Sequence, residues 1–141
     1  KEPRDAVRAR AKRITATRKS NYLDGRLGLI IDGTGRDYDK IVNQASELQQ
    51  LGYDTYMVFV NTSLDVALQR NAQRDRTVPE SIVTKSWKDV QSNIGKFSLF
   101  FKDGMIIVDN NDAKEDVFVE VYKRVQKLLK KKIKNGWHVF Q

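Results

Sequence analysis

Leu27-Gly28-Leu29-Ile30-Ile31-Asp32-Gly33-Thr34-Gly35-Arg36 is the stretch whose reading decides the fold. A short continuous apolar run ending in an acid reads as a strand buried on both faces, and Gly33-Thr34-Gly35 follows as a tight loop. Two further runs have the same character. Thr55-Tyr56-Met57-Val58-Phe59-Val60 leads into Asn61-Thr62-Ser63, a loop and helix N-cap, and Met105-Ile106-Ile107-Val108-Asp109 leads into Asn110-Asn111.

Helical spacing fills the intervals. Ile41, Ala45, Leu48 and Leu51 predict a helix from Asp37 to Leu51 that Gly52 stops, and a second helix follows from Leu64 to about Arg74. Pro79 opens a third, with Ile82, Val83, Trp87, Val90 and Ile94 as its buried stripe and Gly95 as its end. Phe97 to Phe101 reads as a short apolar connector. Upstream, Val7, Ala11, Ile14 and Tyr22 give a weakly apolar face to a helix from Asp5 to about Tyr22, closed by Asp24-Gly25. Downstream, Val117, Val121, Val125, Leu128 and Leu129 point inward from a helix over Lys114 to Ile133. This alternation predicts an α/β protein, a three-layer parallel sheet flanked by helices. Three strands are few for such a sheet, so it reads as incomplete.

The 141 residues suffice for one domain, taken as 1–141, with 134–141 as a tail that either packs back or is foreign sequence. A hydrophobic content of 40% and a charged content of 31% argue against disorder. No apolar run approaches the roughly 18–20 residues that span a bilayer, and the first residues contain no secretory h-region. The absence of cysteine excludes disulfides and thiolate metal sites, and a single histidine, His138, argues against a triad or a zinc site. A cytoplasmic, membrane-free protein is the default expectation. The chain opens without Met inside a running helix, which reads as a fragment or an excised domain.

The net charge of +8 is unevenly placed. Lys1 to Lys19 holds eight basic residues against Glu2 and Asp5, and Lys123 to Lys134 holds seven with no acid. Such clusters attract phosphate-rich partners, nucleic acid included. Solvated faces of terminal helices have the same composition, and no aromatic interleaving or base-reading motif accompanies these.

Functional groups of open α/β sheets collect at the carboxyl ends of strands. Those ends here are Asp32-Gly33-Thr34-Gly35-Arg36, Asn61-Thr62-Ser63 and Asp109-Asn110-Asn111. An acid at such a tip can hold magnesium or take a proton from an attacking hydroxyl, while Thr34 offers a hydroxyl and Arg36 a phosphate partner. Plain Asp-Gly-Thr turns have the same residues. A second candidate is Arg70-Asn71-Ala72-Gln73-Arg74-Asp75-Arg76-Thr77-Val78-Pro79, where Arg70 and Arg74 lie four apart and Arg76 follows at the edge of a loop. Guanidinium groups so placed suit a polyphosphate, and the alternative is a surface patch balanced by Asp75 and Glu80.

Together these features resemble the P-loop kinase group that includes zeta-toxin-type kinases and phage polynucleotide kinase. The matching pieces are Leu29 to Arg36, the turn through Leu51-Gly52-Tyr53, and Val66 to Arg74 running into Val78-Pro79, so the resemblance covers about Ala6 to Lys130. It implies an incomplete P-loop NTPase-like kinase fold with Mg2+ and ATP or GTP as cofactors of the complete enzyme. Asp32 would be the catalytic acid near the metal and the acceptor hydroxyl, and Thr34 and Arg36 would face the acceptor. Arg74 and Arg76 would be catalytic lid arginines, Arg70 would lie near the nucleotide base, and Asp109 and Asn110 would line the base pocket.

The chain departs from that group at one decisive place: it contains no Gly-x-x-x-x-Gly-Lys-Ser/Thr run. Gly33-Thr34-Gly35-Arg36 lacks the lysine and the length to wrap a phosphate chain. In the family the strand bearing that loop lies between those matching Leu27–Asp32 and Thr55–Val60. Without it the two must pair directly, or a second copy must cover the exposed edges, so a homodimer is expected. The reading is a fragment of a nucleotide-dependent kinase acting on a small-molecule, nucleotide or sugar-nucleotide hydroxyl, inactive as it stands and binding no cofactor tightly. The alternative is a non-catalytic basic α/β module that binds nucleic acid or a protein partner.

Overall fold

A computed structural model describes residues 3–112 and 115–131. The 134–141 tail and residues 132–133 of the last predicted helix lie outside the described residues, and that helix ends at Leu129 with Lys130 and Lys131 already beyond it. The chain divides into two compact units, Lys1–Gly33 and Thr34–Gln141.

The first unit is helix α1 (Arg4–Asp24), which Gly25 terminates by donating its backbone N–H to Asn21 O. The expected apolar face of Val7, Ile14 and Tyr22 is present but exposed, and no α1 residue is buried. Beyond it, Leu27–Asp32 forms no strand, and Ile30 is fully exposed. This overturns the reading of that run as a buried strand and its expected pairing with Thr55–Val60. The reason is backbone chemistry: an apolar run becomes a strand only where a neighbouring strand takes its N–H and C=O groups, and no described residue forms a ladder with it.

The second unit holds the sheet. Helix α2 (Tyr38–Gln50) starts at Asp37, whose carboxylate accepts from Lys40 N at 3.1 Å. Strand β1 (Met57–Asn61) leads to α3 (Leu64–Ala72), which Ser63 caps through Val66 N. Helix α4 (Glu80–Phe101) ends in a single 3₁₀ turn before β2 (Met105–Asp109), and α5 (Glu115–Leu129) closes the order. β1 and β2 are parallel, with Met57 opposite Met105 and Asn61 opposite Asp109, and form a two-stranded sheet. The expected three-stranded, three-layer sheet is therefore reduced to a parallel ribbon with helices packed on it.

Side chains alternate across the ribbon. Ile106 and Val108 are buried with Leu128 of α5, flanked by Val117 and Val121. Val58 and Val60, their register partners on that face, remain 41% and 57% exposed. On the opposite face Phe59 is buried and meets Phe97 of α4, with ring centroids 6.4 Å apart. Phe97, with none of its surface exposed, also contacts Tyr38 of α2 and Phe101.

Helix α4 runs through Gly95, which was expected to end it. Gly95 sits on the exposed face with open space around it, so it meets no steric demand to turn the chain. Asn93, Phe97 and Phe101, spaced four apart, carry the buried stripe onward and absorb the predicted connector. Gly104 has a different role, since a Cβ there would come within 3.1 Å of the Tyr56 ring and 3.2 Å of Thr55 O. No helix among the described residues is long and apolar enough to cross a membrane.

Phe97 is the anchor of this packing. Replacing it with Ala is expected to lower unfolding free energy by about 3–5 kcal/mol. The same change at exposed Leu99 is expected to stay within about 0.5 kcal/mol. Urea denaturation followed by circular dichroism checks both, and equal effects would remove Phe97 from the core.

Candidate functional site

The parallel pairing of β1 and β2 puts Asn61 beside Asp109, so the loops leaving both strands start side by side. They are then bonded together. Asn110 N donates to Asn61 O at 2.9 Å, and Ser63 N donates to Asn111 Oδ1 at 2.7 Å. Asp109 Oδ1 accepts from Asn111 N at 2.9 Å, which fixes the turn after β2. The expected base-pocket residues Asp109 and Asn110 thus sit at one strand end.

Arg70 adds the third side of this knot. It lies in the last turn of α3, half-buried, and its Nη2 donates to Asn110 O at 2.6 Å and Asn111 O at 3.2 Å. A guanidinium on two carbonyls ties the loop after β2 to the end of α3. Its geometry is that of a brace for the loop.

Asn71, the next residue, is buried. Its Nδ2 donates to Val78 O at 2.7 Å, and its Oδ1 accepts from Val78 N at 3.0 Å. One amide side chain therefore closes the loop from Ala72 to Thr77 at its base. Arg74 and Arg76, the expected lid arginines, lie on this closed loop with exposed side chains.

Helix α4 completes the arrangement from one side of the ribbon. Trp87 Nε1 donates to Thr62 O at 2.8 Å, and Gln91, one turn later, donates to Asn61 Oδ1 at 2.7 Å. Buried Asn93 donates from Nδ2 to Gly35 O at 3.1 Å and Arg36 O at 2.9 Å. Gly35 has φ +71, and a Cβ there would meet the Phe59 ring at 3.5 Å, so both backbone angle and proximity favour glycine. This places the backbone of Gly35 and Arg36 over β1, with the Arg36 side chain exposed.

Asp32 belongs to the first unit and is exposed, whereas Thr34, Arg36, Arg70, Arg74, Arg76, Asp109 and Asn110 belong to the second. Within the second unit, α3, α4 and the two strand ends bring Arg70, Asp109 and Asn110 into one bonded group. The Gly35-Arg36 backbone is joined to α4 separately. Among the described residues, no group of three or more Asp, Glu or His is arranged to hold a metal ion alone. Among the described residues the one clearly perturbed titratable group, Tyr56, lies just before β1, at the other end of the strand from this site. Loss of solvent and then the charge of Asp54 push its hydroxyl above the usual phenol range.

The residues that organise the site without having been given a role in it by the sequence are Asn71, Trp87, Gln91 and Asn93. A signal existed for Asn93: it stands three residues after Val90 and four before Phe97, where the stripe calls for an apolar side chain. A buried amide at such a position must find backbone partners. No comparable signal marks Asn71, whose partner is fixed by loop shape.

Residues 3–123 match the family model described as Zeta toxin. No curated protein and no solved structure matches the chain.

The Asn71 bracket has a direct readout. Asn71→Ala removes both hydrogen bonds that hold the Val78 backbone, a loss of about 0.5–1.5 kcal/mol each confined to this loop. Limited trypsin digestion is expected to cut after Arg74 and Arg76 at least about tenfold faster than in the parent chain. Unchanged cleavage would show that the loop is held by something else.

Proposed function

The chain belongs to the zeta toxin family of P-loop kinase-like, nucleotide-binding domains, and we propose that its residues form the acceptor and lid side of a phosphotransferase. The reaction is transfer of a phosphoryl group from ATP or GTP to a hydroxyl of a small molecule, nucleotide or sugar nucleotide. The observation that carries this reading is the pair of exposed arginines, Arg74 and Arg76, on a loop whose base Asn71 closes beside the bonded strand ends. Phosphoryl transfer depends on positioning and on cationic groups around the transferring phosphate. Arginines on a tethered loop supply charge at a fixed distance with little freedom left to lose.

The remaining roles are those that the family resemblance implies. Thr34 and Arg36 face the acceptor, with the Arg36 backbone fixed through Asn93. Asp109 and Asn110 border the base. Arg70 acts on the nucleotide through the Asn110–Asn111 loop that it grips. Asp32 takes the proton of the attacking hydroxyl.

Zeta-toxin-like P-loop kinases generally use ATP and Mg2+. Magnesium is commonly held by one or two carboxylates, with water and phosphate oxygens completing its shell. Asp32 is a donor of that kind, and without a larger carboxylate cluster among the described residues the phosphate oxygens have to supply the rest. When bound, the ion neutralises charge developing on the phosphate oxygens. The 141 residues contain no Gly-x-x-x-x-Gly-Lys-Ser/Thr run, so the phosphate cradle is not among them. By themselves they are expected to turn over no substrate.

A complementation assay tests the proposal. This chain is mixed with ATP and Mg2+, alone and together with a separately made strand-and-loop segment carrying the Gly-x-x-x-x-Gly-Lys-Ser sequence. The expected result is ATP consumption only in the mixture, lowered about a hundredfold or more by Arg74→Ala or Arg76→Ala. Turnover by the chain alone, or a complemented activity indifferent to both arginines, would reject the assignment.

A further inference from the structure

Helix α1 carries seven basic residues, Arg4, Arg8, Arg10, Lys12, Arg13, Arg18 and Lys19, against Asp5 and Asp24. They are not spread evenly. Arg4, Arg8, Lys12, Thr15 and Lys19 follow one another at intervals of four, four, three and four, which places them in one row along the helix. With a rise of about 1.5 Å per residue, the row is about 22 Å long with neighbouring positions about 6 Å apart. Ala11, Thr15 and Ala16 are small, so Arg8, Lys12 and Lys19 stand around a shallow trough. Arg4, Arg8 and Lys12 are exposed and Lys19 is half-buried.

Such a row opposes its own helix. Like charges four apart repel, and among the described residues no α1 cation forms an ion pair. Burial does little to offset it, since no α1 residue is buried. An external polyanion relieves this repulsion, and Arg4, Arg8 and Lys12, four residues apart with Lys19 seven further on, form a row that a run of phosphates can follow.

The choice between polyanions rests on the rest of the helix. A membrane-surface helix needs a broad apolar face to sink between lipids. Apart from alanine, the apolar residues of α1 are only Val7, Ile14, Tyr22 and Leu23. Guanidinium groups fit carboxylates as well as phosphates, but a duplex carries about one phosphate charge per 1.7 Å of its axis and so offers partners along the whole row, which a flexible acidic peptide does not hold in place. We infer that α1 is a sequence-independent docking helix for the phosphate backbone of nucleic acid, through the row Arg4–Arg8–Lys12–Lys19. This goes beyond the phosphotransferase reading and does not depend on it.

Fluorescence anisotropy of the full chain with a labelled 24-base-pair duplex of random sequence, titrated at several KCl concentrations, tests the inference. Four phosphate contacts predict a log–log salt slope of about −3.6, or about 150-fold weaker binding at 200 mM than at 50 mM. Arg8→Glu with Lys12→Glu is expected to halve that slope and weaken binding at least about tenfold. Lys85→Glu with Lys88→Glu changes net charge equally on α4 and is expected to leave the slope unaltered. Circular dichroism verifies that helix content is retained, and Arg8→Gln with Lys12→Gln repeats the test without introducing acids. The inference is overturned by a slope near zero, by equal losses in the α1 and α4 variants, or by phosphatidylserine vesicles or polyglutamate binding as tightly as the duplex.

Discussion

Two parallel strands cannot be joined by a tight turn, so pairing Met57–Asn61 with Met105–Asp109 obliges the intervening chain to cross over. That crossover is α3 and α4, and its return along the ribbon brings α4 against the carboxyl end of β1. The site depends on this constraint. With Asn61 and Asp109 in register, their loops meet and exchange hydrogen bonds, and α3 and α4 supply Arg70, Trp87 and Gln91 as further partners. The bonds are dominated by side-chain amides and an indole, neutral groups that hold backbone in place without adding charge. Charge enters through the Arg70 guanidinium and the Asp109 carboxylate, while Arg74 and Arg76 lie exposed on the loop closed by Asn71.

Where local pattern and tertiary partner agree, the fold was legible. Met105–Asp109 reads as a strand and is one, because a continuous apolar run there has both a ladder partner and a helix to cover it. Leu27–Asp32 has the same composition and forms no strand. Composition specifies a wish to be buried; pairing needs a second backbone, which a linear reading cannot supply. Gly95 shows the converse error. Glycine weakens a helix by roughly 1 kcal/mol, too little to stop one whose Asn93–Phe97–Phe101 stripe continues into the core. For the site, the strand pattern placed Asp109 and Asn110 at a strand end, where the structure has them. Residue type and position were not enough to tell a brace from a ligand group: Arg70 is bonded to two carbonyls, a fact set by the relative placement of α3 and β2.

The family assignment and the geometry constrain each other. Membership in the zeta toxin family makes nucleotide binding the frame in which strand-end polar groups are read, and the sequence holds no phosphate-wrapping loop with its lysine. The chemistry ascribed to Arg74 and Arg76 therefore requires a partner segment for the phosphates. Helix α1 concerns a different interaction. Arg4, Arg8 and Lys12 are exposed and Lys19 half-buried along one row of it, and the partner inferred for that row is a phosphate backbone and not a nucleotide in a catalytic site.

Hydrogen–deuterium exchange, followed residue by residue by NMR, addresses the central structural claim most directly. The amides engaged between Met57–Asn61 and Met105–Asp109 should exchange slowly, while those of Gly28 to Asp32 exchange at rates near those of an open chain. Slow exchange across Gly28 to Asp32, matching that of the two strands, would contradict the account by showing that this run is itself part of a sheet.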